Sequence, residues 1–186
     1  MGPAVVTAVL LLVGIINSVT ALNNQEAHKM CSHQHIHMYG DFWTSYNQGR
    51  VMRYFDTPKT FQEAKAQCNS IHSELVSVHN QHQMNNAVCM SMYFSATRGQ
   101  HFWIGAQRSG SGFKNEDGTE FKFTNWSPHQ PDNARGTESC IEANFGGLGK
   151  WNDLNCKTKR AFLCVKKTAA ICSDEFNQCL RRQKMN

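Results

Sequence analysis

Gln130-Pro131-Asp132-Asn133-Ala134-Arg135-Gly136-Thr137-Glu138-Ser139-Cys140, written QPDNARGTESC, has no apolar anchor ahead of its cysteine and no period that would build a helix or a strand. Three of its side chains, Gln130, Asp132 and Glu138, offer amide or carboxylate oxygens, the ligand type that hard cations such as calcium prefer. A single loop rarely completes such a shell, so further oxygens are expected elsewhere in the chain.

Outward from this loop the pattern becomes regular. Downstream, Lys150-Trp151-Asn152-Asp153 and AFLCVKK (161–167) read as strands. Upstream, EFKFTNW (120–126) alternates as a half-exposed strand, Asn115-Glu116-Asp117-Gly118 carries the Asp-Gly turn signal, and FWIGA from Phe102 reads as a buried strand. A helix is expected to open near Ser77 or Asn80 and to run past Met84, Ala87 and Val88. Another is expected at Thr57, with Thr as N-cap and Pro58 at the first helical position. Phe61, Ala64 and Cys68 follow at spacings of three and four, which puts Cys68 on the core face. RVMRYF (50–55) reads as a strand before it. Two helices followed by short strands and long loops define an α+β chain.

The chain has 186 residues, eight cysteines and a formal net charge of +5. That length supports one domain with short extras. The apolar run from Pro3 to Ile16 is shorter than the roughly 20 residues that span a bilayer, and Val19-Thr20-Ala21 supplies small residues for cleavage. The expected organisation is a signal peptide at 1–21, a polar tail at 22–38, a domain at 39–167 and a basic, cysteine-containing tail at 168–186. Secretion, with no transmembrane segment, follows from this reading. An even cysteine count without C-x-x-C pairs fits disulfides in an oxidising compartment rather than structural zinc. Basic residues cluster late, at Lys166, Lys167, Arg181, Arg182 and Lys184, without the aromatic interleaving that marks nucleic-acid binding. His33, His35 and His37 alternate, but in a polar tail they are read as solvated.

Several motifs together resemble a C-type lectin-like domain. They are TFQEAKAQC, Trp103-Ile104-Gly105, Asn125-Trp126, the Gln-Pro-Asp tripeptide, Glu138-x-Cys140, Trp151-Asn152-Asp153-x-x-Cys156 and Phe162-x-Cys164, in that order. The match covers roughly 39–167 and is nearest to secreted invertebrate members, nematode ones among them. The resemblance implies a C-type lectin-like fold of two helices, small antiparallel sheets and a long calcium-binding loop region. It also implies the disulfides Cys68–Cys164 and Cys140–Cys156.

Carried onto this chain, the family's sugar-binding calcium would be held by Gln130, Asp132, Glu138, Asn152 and Asp153, and the same five would bind the carbohydrate. Pro131 is expected to be cis. The Gln-Pro-Asp order is associated with galactose-type sugars and Glu-Pro-Asn with mannose-type ones. Galactose binders usually add an aromatic ring after the tripeptide, where this chain has Asn133-Ala134-Arg135; weak monosaccharide affinity is therefore expected, with Phe145 as a ring that could stack from elsewhere. An accessory calcium site would need acids where this chain has Gln107, Arg108, Asn133 and Ser139, so one calcium is expected rather than two. Trp103, Ile104, Gly105, Trp126 and Trp151 are read as scaffold.

Cys31, Cys89, Cys172 and Cys179 remain. On a helix the last two would stand about 10 Å apart along the axis, beyond the roughly 4.4–6.8 Å of bridged Cα atoms, which favours each pairing with Cys31 or Cys89. Interchain pairing, giving a disulfide-linked oligomer, is the other arrangement. No nucleophile–base or acid pair argues for an enzyme. The expected partners are glycans or glycoproteins; a protein- or surface-binding module on the same scaffold, without calcium-dependent sugar binding, is the alternative.

Overall fold

The computed structural model describes residues 42–47, 49–97 and 99–167, together with Met38, Tyr39 and, nearer the N-terminus, Gln25, Ala27 and 29–32. The expected signal peptide, His28, the His33, His35 and His37 set, Cys172, Cys179 and the rest of the basic tail lie outside the described residues. The chain divides into two units at His35 and Ile36. Of the first, Gln25, Ala27 and 29–31 are helical, and Ala27 and Cys31 are buried.

In the second unit the strands are β1 (Met38–Tyr39), β2 (Trp43–Asn47), β3 (Arg50–Lys59), β4 (Glu74–Leu75), β5 (Phe102–Ser109), β6 (Gly112–Asn115), β7 (Cys140–Ala143), β8 (Trp151–Leu154) and β9 (Arg160–Lys167). The helices are α1 (Phe61–Ser70) and α2 (Gln81–Phe94). The sheet runs β1-β2-β3-β9-β5-β7-β8, with β4 on β9 and β6 on β5; among the described strands only β5 and β9 pair in parallel. This is an α+β architecture.

Helix α1 starts later than the Thr57-Pro58 signal suggests. Its N-cap is Thr60, whose hydroxyl accepts from the Glu63 N–H while the Glu63 carboxylate accepts from the Thr60 N–H. This reciprocal capping box satisfies two orphan donors at once and outcompetes a proline start. Thr57 and Pro58 stay in β3, where the ladder to β9 is irregular between Phe55 and Lys59 and a residue without an N–H is tolerated. Helix α2 opens on Asn80, whose side chain accepts from the Gln83 N–H.

Phe61, Ala64 and Cys68 of α1 pack with Leu75, Trp103, Phe162 and Cys164 in the core. Gly105 is there for space: a Cβ on it would lie 2.6 Å from the Leu75 carbonyl oxygen. Disulfides join Cys68 to Cys164 and Cys140 to Cys156. Cys31 and Cys89 are also disulfide-bonded.

The strand expected over EFKFTNW does not form. Its backbone meets β8 at one place, where Trp151 donates to the Asn125 carbonyl and Ser127 donates to the Trp151 carbonyl. The alternation has another cause: Phe121, Phe123 and Trp126 each turn a ring towards Trp151, with centroids 6.0, 5.5 and 5.7 Å away. Aromatic packing of Phe121 and Phe123 thus imitates a strand's period of two, which Trp126 breaks.

Candidate metal centre

Between β6 and β7 the chain is held by side-chain hydrogen bonds in place of a ladder. The Gln130–Pro131 peptide bond is cis, and Asn133 and Arg135 have φ values of 47° and 58°. Asn133 is of the type that tolerates this left-handed region because its short polar side chain can bond locally. It does so here, its Oδ1 accepting from the Glu138 N–H at 3.1 Å. A short 3₁₀ turn at Ala134–Gly136 follows. The Ala134 N–H donates to Glu138 Oε2 at 3.0 Å and to Asp132 Oδ1 at 3.2 Å.

Asp153 comes to this loop from β8. Fully buried, it accepts from the N–H groups of Asp132 and Asn133, both at 3.0 Å, and from Arg108 Nη2 at 2.5 Å. Three carboxylates thereby converge: an oxygen from each of Asp132, Glu138 and Asp153 lies within 4.8 Å of the others. Asp132 is exposed, Glu138 half-buried and Asp153 buried. Burial pushes the Glu138 carboxyl above its ordinary range, opposed by the Ala134 N–H and reinforced by the charges of Asp153 and Asp132. Gathering negative charge in this way favours a bound cation.

Gln130 gives an independent test of fit. Its Oε1 is buried and accepts no hydrogen bond, a state that ordinarily costs about 1–3 kcal/mol. A buried amide oxygen left bare in the same loop as Asp132 and Glu138 suits a hard cation with oxygen ligands. The residues present therefore fit such an ion.

Asn152 is placed differently. It pairs with Glu142 across β7 and β8 while Asp153 pairs with Ile141, so the two neighbours project from opposite faces of the strand. Asn152 Nδ2 donates to Glu142 Oε1 at 2.9 Å. Glu142 is itself 1% exposed and also accepts from Arg160 Nε at 2.5 Å and meets His101 Nδ1 at 3.0 Å. Burial raises the Glu142 carboxyl, but the bonds from His101, Arg160 and Asn152 outweigh it and leave the group below its ordinary range. Sequence reasoning passed over this buried acid, although the alternation of Cys140-x-Glu142 along one strand carries the signal. Phe145, the ring considered for stacking, sits edge-to-face with His101 at 6.0 Å. Trp103, Ile104 and Trp151 are core residues, whereas Trp126 is half-buried.

Residues 57–166 match the lectin C-type domain. The chain belongs to the C-type lectin family. Among C-type lectin relatives, a C-type isolectin, Sp-CL4, of Scorpaena plumieri is 41% identical over 126 residues, covering 68% of this chain and 87% of its own. An alpha-N-acetylgalactosamine-specific lectin of Patiria pectinifera is 32% identical over 134 residues, covering 68% and 79%. The solved C-type lectin CEL-I from Cucumaria echinata shares the fold, with a TM-score of 0.63 at 24% identity over 69% of this chain and 97% of that one. A fish and a starfish thus stand among the relatives, so likeness is not confined to the invertebrate members. C-type lectin domains are non-enzymatic and generally bind calcium. Among the described residues, no helix is long and apolar enough to cross a membrane.

Proposed function

We propose that this C-type lectin is a secreted, calcium-dependent carbohydrate-binding protein with a preference for galactose or N-acetylgalactosamine. The observation that carries the reading is the convergence of Asp132, Glu138 and Asp153, with the bare amide oxygen of Gln130 in the same loop as the first two. These four residues hold one calcium ion, while Asn152, on the opposite face of β8 from Asp153 and donating to Glu142, supports the strand beneath them. Affinity of the weak extracellular kind, with Kd on the order of 10⁻⁴–10⁻³ M, suits so few charged ligands. When bound, the ion supplies open coordination places for two neighbouring sugar hydroxyls. The chain's own part is orientation: Asp132 and Glu138 accept hydrogen bonds from those hydroxyls, and the Gln130 amide nitrogen donates to them. Disulfides throughout the domain fit an extracellular, oxidising setting.

The Gln130-Pro131-Asp132 order supports the galactose preference, as does the specificity in the name of the Patiria pectinifera relative. Ala134, exposed after the tripeptide, offers no ring, so single-sugar affinity is poor and clustered presentation is needed. A glycan array run with and without a chelator tests the reading, alongside the double variant Gln130→Glu, Asp132→Asn. The wild type should lose its galactose-type signals in chelator, and the variant should shift at least tenfold towards mannose, about 1.4 kcal/mol. Signals that survive chelation would show sugar binding that does not use the ion, and no glycan signal with calcium present would point instead to a protein- or surface-binding module.

A further inference from the structure

Arg108, near the end of β5, connects the two segments of the metal centre, and the proposed function gives it no part. Its Nη2 is 2.5 Å from Asp153 Oδ2 in β8, and its Nε donates to the Glu138 carbonyl oxygen at 3.1 Å. Its own N–H donates to the Ser139 carbonyl at 2.8 Å. The guanidinium carbon lies 4.7 Å from the centre of the Phe113 ring, which in turn packs on Trp126 at 5.1 Å. Planar stacking on one face and forked donation along one edge are what guanidinium does and ammonium does not.

We propose that Arg108 is a positioning residue, a resident cation that holds the metal-binding loop in its ion-ready shape before any calcium arrives. The chain of contacts is short. Arg108 fixes Asp153, Asp153 accepts the N–H groups of Asp132 and Asn133, and the Glu138 main chain is fixed by the same guanidinium. One of the three converging carboxylates is neutralised within the protein, so the ion-free site does not have to spring apart. Calling the loop ion-ready rests on the calcium reading above; the ordering by Arg108 does not.

Hydrogen exchange at single amides, on the disulfide-intact protein, tests it. In chelator, Arg108→Ala should exchange the amides of Asp132, Asn133, Ala134 and Glu138 at least tenfold faster than wild type, and millimolar calcium should restore them. Arg108→Lys, which keeps the charge but not the fork, should fall between. Equal rates in chelator for wild type and Arg108→Ala would overturn the proposal. Acceleration spread through β3, β5 and β9, without recovery in Arg108→Lys, would also overturn it by showing a general structural role. Failure of the wild type to bind calcium would instead break the lectin reading while leaving the chelator comparison intact.

Discussion

The region around Cys68–Cys164 and the region around Cys140–Cys156 are organised by different forces. In the first, Phe61, Trp103 and Phe162 are fully buried, Leu75 is 1% exposed, and β3 and β9 are paired over most of their length. In the second, Pro131, Asp132 and 134–137 are exposed, and a few directional bonds to Asp153, Glu138 and Asn133 hold the turn. Cross-link entropy follows the same division. Chain-entropy reasoning gives about 4.7 kcal/mol for a loop of about 100 residues and about 3 kcal/mol for one of about 15, and the separations here are 96 and 16. Apolar burial is spread over many contacts and is blind to single charges. The loop is the opposite: its shape depends on individual charges, which suits the ion recognition proposed for it.

The largest expected effect lies in the first region. Phe162→Ala removes a fully buried ring that stacks on Phe55 with centroids 4.9 Å apart, and should cost about 3–5 kcal/mol by denaturant unfolding. Calcium affinity of the folded fraction should stay within about twofold, since 1.4 kcal/mol would already be tenfold. A large affinity loss would mean that the two regions are coupled after all.

Asp153→Ala is the complementary change. It leaves two N–H groups and Arg108 without their acceptor, which should lower unfolding stability by about 1–3 kcal/mol, while calorimetry should detect no calcium binding at millimolar concentration. Retained binding would remove Asp153 from the ligand set.

A pH-dependent effect tests the border between the regions. The Glu142 carboxyl, held below the ordinary glutamate value of 4.5, contributes stability that is full above that value and is lost as pH falls through the folded one. Acid unfolding curves of Glu142→Gln should therefore flatten relative to wild type below about pH 4.5, while stability at pH 7 falls by about 1–3 kcal/mol from the weakened bonds to Arg160 and Asn152. An unchanged acid slope would show that other carboxylates carry the transition.

Local signals determined much of this chain without a structure. Phe61, Ala64 and Cys68 mark a helix face because 3.6-residue periodicity is a property of the sequence, and Asn80 caps α2 because a cap needs only its next three residues. Asp132 and Glu138 were nameable as candidate oxygen ligands from residue type and Asp153 from the family resemblance, and the structure brings an oxygen of each within 4.8 Å of the others. What needed the tertiary structure was whatever depends on partners distant in the chain. The Thr60–Glu63 box prevailed over Thr57-Pro58 because β3 runs on through Pro58 to Lys59, which pairs with Arg160 of β9. EFKFTNW lost its strand because β8 offered it one bridging residue and a tryptophan to pack on. The Arg108–Asp153 pair, separated by 45 residues, and the attachment of Asn152 to Glu142 depend on strand register, since in a pleated sheet the register decides which of two neighbouring side chains faces the loop.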